Sequence, residues 1–195
     1  MKIRYQRSRV FGSLCALAGI AGLVFAGAAS AAQPEPGTWQ SHETTFHYLG
    51  ISPTYSCEGL KNGLSYLLMQ SGARLDGPIT TQSCYNGAGS PSKLASAKLK
   101  FSTLKPAASG GSEASAATVP GTWRKVTISP QTSAFQLSGG DCELVEEFKD
   151  KVLPMLTVRD VQSNLHCIPH QSSGNLFGLS FEAFTPSDAK AAIAH

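Results

Sequence analysis

Pro36-Gly37-Thr38-Trp39 and Pro120-Gly121-Thr122-Trp123 are one tetrapeptide written twice at an offset of 84, and between them they hold both tryptophans of a 195-residue chain. The marks around it recur in the same order. Ile51-Ser52-Pro53 returns as Ile128-Ser129-Pro130, Cys57-Glu58 as Cys142-Glu143, and Cys84 as Cys167, while Phe101-x-x-Leu104-x-Pro106 returns as Phe181-x-x-Phe184-x-Pro186. The offsets differ only as loop lengths would make them differ, so the pattern predicts an internal duplication. The first unit falls at residues 33–105 and the second at 120–186. A flexible small-residue linker at 106–119 joins them, and a loose alanine-rich tail follows at 187–195.

Each unit is expected to run strand, helix, strand, strand. Thr44–Ile51 and Trp123–Ser129 are β-branched and aromatic runs closed by the proline that follows each Ile-Ser. The helices should begin at Cys57 and Cys142, with Ser56 and Asp141 as N-caps and Glu58 and Glu143 in the first turn, where the helix dipole favours an acid. Leu60, Leu64, Leu67 and Leu68 share one helical face, and Ser71-Gly72 ends that helix. Val145, Phe148 and Val152 form the matching stripe, and Pro154 should end or kink the second helix near Leu153. Second strands are expected at Ile79–Cys84 and Val161–Cys167, with loops at Tyr85–Ser92 and Pro169–Asn175. The last strands alternate: Leu99, Phe101 and Thr103 match Leu179, Phe181 and Ala183 on a buried face, and polar residues occupy the other.

The predicted fold class is therefore α+β: two strand-helix-strand-strand units in one pseudo-two-fold antiparallel sheet domain, with six strands and both helices on one face. In topology this resembles the effector-binding and haem-binding domains of the GyrI-like and SOUL-type group, which hold ligands in the cleft between repeats. The resemblance rests on no shared motif and transfers no residues.

Residues 1–32 read as a cleaved signal peptide of bacterial style. A cationic start is followed by the apolar stretch Val10–Ala28 and the small-x-small pattern Ala29-Ser30-Ala31. A membrane anchor is the alternative reading of that stretch. Arg7 and Arg9 are not adjacent and Cys15 lacks a lipoprotein context, so general secretory export to the periplasm or medium is expected, with no transmembrane segment after cleavage. Removing Cys15 leaves Cys57, Cys84, Cys142 and Cys167 in an oxidising compartment. Four cysteines allow three connectivities; the repeat argues for Cys57 with Cys84 and Cys142 with Cys167, and cross-unit pairing stays open.

The leader also accounts for the charge. The full chain is formally +3, with 16 basic and 13 acidic residues; Lys2, Arg4, Arg7 and Arg9 lie in the leader, which leaves 12 against 13. Without a positive field, nucleic-acid binding is not expected. No nucleophile elbow, zinc-protease motif or phosphate-cradling glycine loop is present. His42, His47, His166 and His170 could hold a transition metal, although residues 42 and 47 point to opposite faces of a strand. Trp39 and Trp123 either pack where each unit begins or line a ligand or partner surface. The favoured expectation is an exported, non-catalytic binding module without a cofactor. It would engage a protein partner or small apolar ligand at the inter-repeat cleft or a sheet face. The alternative is a small periplasmic metal-handling protein or enzyme using His47, His166 and His170.

Overall fold

Strand β1, Glu35–Leu49, is much longer than the run that predicted it, because it begins at the first Pro-Gly-Thr-Trp rather than after it. Its partner β4, Leu94–Pro106, runs antiparallel to it over Gly37–Leu49, and the alternation of β4 sets the pair's two faces. In the second half β5, Val119–Ile128, pairs in the same way with β7, Gly178–Pro186. The computed structural model describes residues 33–49, 55–84, 94–107, 118–130, 137, 141–167 and 177–188. Residues 1–32, where a signal peptide is expected, the Ile51-Ser52-Pro53 mark, most of the expected linker, both expected glycine-serine loops, His170 and most of the tail lie outside the described residues.

The second strands differ from expectation in extent in the first half and in position in the second. In the first half the segment is split into β2, Arg74–Leu75, and β3, Thr80–Gln82, both antiparallel to β4. Gly77-Pro78 lies between them, and proline has no N–H to continue a ladder. In the second half β6 spans Val158–Asn164 rather than Val161–Cys167, and its register on β7 shifts between Arg159 and Gln162. Asp160 sits there at φ 54°, a left-handed conformation that aspartate tolerates better than most residues. The result is one seven-stranded sheet in the order β2-β4-β1-β5-β7-β6, with β3 also on β4.

The two halves of the sheet join at a narrow seam. β1 and β5 pair antiparallel only at Glu35 with Gly121, Pro36 with Pro120 and Gly37 with Val119. Two prolines on the seam remove two backbone donors. The carbonyls of Pro36 and Pro120 accept from Ala107 N at 2.8 Å and Ser187 N at 2.9 Å.

Helix α1, Cys57–Gln70, starts as expected: the Ser56 hydroxyl accepts from the Gly59 N–H at 3.0 Å. It ends at Ser71, and Gly72 follows at φ 79°, where an added Cβ would collide with Thr185. Helix α2, Cys142–Lys151, departs from expectation at its start. Asp141 makes no capping bond; its carboxylate accepts instead from the Tyr55 hydroxyl. Pro154 acts as predicted, and a short 3-10 turn at Leu153–Met155 follows α2.

Both helices pack on one face of the sheet, where Phe46, Tyr48, Leu99, Phe101, Val126, Leu179 and Phe181 form one core with Leu60, Leu64, Val145 and Phe148. α1 and α2 are in contact, since a Cβ on Gly63 would lie 2.9 Å from Leu144. Cys57 is bonded to Cys84 and Cys142 to Cys167, so each bridge ties a helix start to the end of its next strand segment.

Candidate binding face

Antiparallel pairing puts residues two apart on one side of a strand. In β1 the parity that buries Phe46 and Tyr48 against the helices therefore sends Trp39, Ser41, Glu43, Thr45 and His47 to the other face. Register places Leu104 beside Trp39 and Phe184 beside Trp123 on that same open face, which neither helix covers.

Leu104 and Phe184 are nonetheless buried, at 0% and 2% exposed. They lie over the seam, where glycine is the reason they fit. A Cβ on Gly37 would be 2.8 Å from Leu104 Cγ and 2.8 Å from Phe184 Cε1, and one on Gly121 would meet the same two side chains. The repeated glycines thus allow a leucine from β4 and a phenylalanine from β7 to close over the seam. Trp123 packs against Phe184 with ring centroids 5.4 Å apart.

A guanidinium covers each tryptophan: Arg74 Cζ lies 4.5 Å from the ring centre of Trp39, and Arg159 Cζ 4.1 Å from that of Trp123. A carboxylate holds each arginine in place. Asp76 Oδ1 accepts from Arg74 Nε at 3.3 Å, and its Oδ2 accepts from the Ser102 hydroxyl, which in turn is 3.0 Å from Ser41 Oγ. Glu182 Oε2 accepts from Arg159 Nε at 2.7 Å and Nη2 at 2.6 Å. Further along the face, Glu43 takes Lys98 at 2.7 Å and Lys100 at 3.3 Å, and these lysine hydrogen bonds hold its carboxyl below the usual range. The open face is also where two shallow depressions lie, about 370 Å³ beside Thr127, Gln162 and Ser180 and about 300 Å³ beside Ser41, Glu43, Asp76 and Lys100.

Two tyrosines tie the halves together on the helix side. Tyr48 donates to Glu143 Oε2 at 3.2 Å, Tyr55 donates to Asp141, and the rings meet edge-on at 5.0 Å. Burial, followed by the neighbouring carboxylate charge, raises both hydroxyls well above the ordinary tyrosine range. Arg124, half-buried on the same side, reaches the Gln70 carbonyl at 3.4 Å, and burial lowers its pKa.

The histidines are not brought together. His42 faces the helices, stacked on Phe101 with Nε2 3.1 Å from Thr103 Oγ1, while His47 and His166 are exposed. Among the described residues no group of three or more His, Cys, Asp or Glu could hold a metal ion. Trp39 and Trp123 are half-buried on the open face rather than in the main core. Sequence reasoning missed Arg74, Asp76, Arg159 and Glu182. The two arginines stand at an offset of 85, the same as Cys57 and Cys142, and that spacing was the available signal.

No family model, no curated protein and no solved structure matches the chain. Function has to be argued from the site itself.

Proposed function

We propose that this protein is an exported, non-catalytic binding module, and that it engages a protein partner through the helix-free face of its sheet. The single observation carrying this reading is the pair of half-buried tryptophans on that face, each under an arginine and each beside a buried apolar residue at the seam. Aromatic and arginine side chains around a small desolvated centre are the composition of protein-protein hot spots. The inter-repeat cleft is the less favoured location, because Gly63 against Leu144 on the helix side and Leu104 with Phe184 on the open side fill the junction there. The leader-like first 32 residues and two disulfides support export to an oxidising compartment, and among the described residues no helix is long and apolar enough to cross a membrane. The recurring tetrapeptide, with Pro36 opposite Pro120, supports an origin by duplication about a pseudo-two-fold axis at the seam.

Native mass spectrometry of the protein isolated from its own compartment tests this. A stoichiometric protein partner released by Lys125→Glu on the open face, but retained by Lys61→Glu on α1, is the expected result. A partner indifferent to Lys125→Glu would overturn the assigned face, and a stoichiometric metal lost in His166→Ala would overturn the reading itself.

A further inference from the structure

The open face does not carry the same chemistry in its two halves. In the first, Glu43 lies opposite Lys100 and is ion-paired to it and to Lys98. In the second, the cross-strand pair at the offsets of 84 and 80 that relate the tetrapeptides and Phe101 with Phe181 is Thr127 with Ser180. Gln162 of β6 pairs with Ser180 from the other side. Residues directly opposite one another in antiparallel strands share a face, so Thr127, Ser180 and Gln162 form one row across three strands, about 10 Å from end to end. Each of these side chains can both donate and accept, and none carries charge. Among the described residues, none of the three is engaged in a side-chain hydrogen bond.

Two backbone features build and open this row. The bulge in β6 inserts one residue between Arg159 and Gln162, with Asp160 at φ 54°; without it Val161 would stand opposite Ser180. A left-handed backbone thus puts an amide into the row in place of an apolar side chain. The second feature is Gly178, two residues along β7 on the same face. A Cβ there would meet nothing within 4 Å and its φ is not left-handed, so neither packing nor conformation calls for glycine, although glycine weakens a strand. What the missing side chain leaves is space, since Gly178 lines the depression of about 370 Å³ with Thr127, Gln162 and Ser180. A bulge also discourages pairing at an exposed edge, but that role needs no bare glycine on the neighbouring strand.

We infer that this depression is a binding site for an uncharged saccharide. Sugar hydroxyls donate and accept at once, as those of Thr127 and Ser180 do, and match such a row without a counter-charge. The bare backbone at Gly178 lets the C–H face of a ring approach closely. An ion meets no opposite charge in the row, and an apolar ligand would strip water from three polar side chains without replacing its hydrogen bonds. The site lies about 13 Å along β5 from Trp123 and does not rest on the protein-partner reading.

Isothermal titration calorimetry of the protein isolated from its own compartment tests this, with cello-, malto-, chito- and galacto-oligosaccharides as neutral probes and polygalacturonate as the acidic one. The expected result is saturable binding of at least one neutral probe that added salt leaves unchanged. Thr127→Val and Ser180→Ala should each weaken it roughly five- to tenfold, whereas Thr80→Val, opposite Lys98 on the open face of the first half, should not. Gly178→Val should abolish binding while keeping the urea midpoint, because its Cβ enters open space. Binding of no neutral probe, or binding indifferent to both Thr127→Val and Gly178→Val, would overturn the inference. Binding of polygalacturonate alone, weakened by salt, would refute the uncharged assignment. Loss of a native protein partner in Thr127→Val and Ser180→Ala, with no glycan bound, would give the row to that partner and leave the protein-partner reading standing.

Discussion

Leu104 and Phe184 occupy one site from opposite sides: the same two side chains would be struck by a Cβ on Gly37 or on Gly121. They reach that site from β4 and β7, across the two strands of the seam, and supply packing where the ladder is only three residue pairs long. Gly121→Ala puts its methyl 2.6 Å from Phe184 Cε1 and 2.8 Å from Leu104 Cδ2. The expected loss is about 1–3 kcal/mol by overpacking, read as a lower urea midpoint. Gly77→Ala, where nothing lies within 4 Å, is the control and should leave the midpoint in place.

Alkaline pH should loosen the clasp between the halves. Tyr48 and Tyr55 stay protonated in the folded state at pH values where an unfolded tyrosine ionises, because burial and then the nearby carboxylates raise them. Their contribution is complete below about pH 10, the unfolded tyrosine value, and declines as the pH rises beyond it. Urea midpoints between about pH 8 and 11 should fall, and they should fall less steeply in Tyr48→Phe/Tyr55→Phe. An unchanged slope in that double variant would contradict this assignment.

Asp141 should behave as a tyrosine partner and not as a helix cap. Ser56→Ala is expected to cost about 1 kcal/mol through the lost cap on α1. Tyr55→Phe should cost roughly 1.5–3 kcal/mol, as a hydrogen bond to a charged group is removed. In a double-mutant cycle Tyr55→Phe and Asp141→Ala should couple by more than about 0.5 kcal/mol, while Ser56→Ala adds to either without coupling.

The bridges should be separable in stability. Loops of 27 and 25 residue steps are closed by Cys57–Cys84 and Cys142–Cys167. Replacing either pair by serine should cost about 3–4 kcal/mol on the chain-entropy account. Peptide mapping without reductant should recover these two links, and a Cys57–Cys142 peptide would refute the pairing.

Legibility from sequence differed element by element. The start of α1 could be read from Ser56, Glu58 and the leucine stripe because capping and amphipathic periodicity are local properties. The same local rule misassigned Asp141, because Tyr55, 86 residues away in sequence, competes for its carboxylate. Strand β4 could be read from its alternation, whereas the extent of β1 could not, since Glu35–Glu43 is extended only by virtue of its pairing with β4 and β5. At the candidate site the tryptophans stood out as repeated residues. Arg74 and Arg159 did not, because nothing in their neighbours places a guanidinium over an aromatic ring.

By itself the sequence determined the mixed α+β class, both helix starts at the cysteines and the preferred cysteine pairing, all of which follow from short-range chemistry and the order of recurring marks. Tertiary structure alone decided that the halves meet at Pro36 and Pro120, that Leu104 and Phe184 close over the glycines, and that an arginine paired with a carboxylate covers each tryptophan on the open face. Those relations are set by strand register and by contacts between residues far apart in the chain, and a linear pattern carries no information on register until the strands have paired.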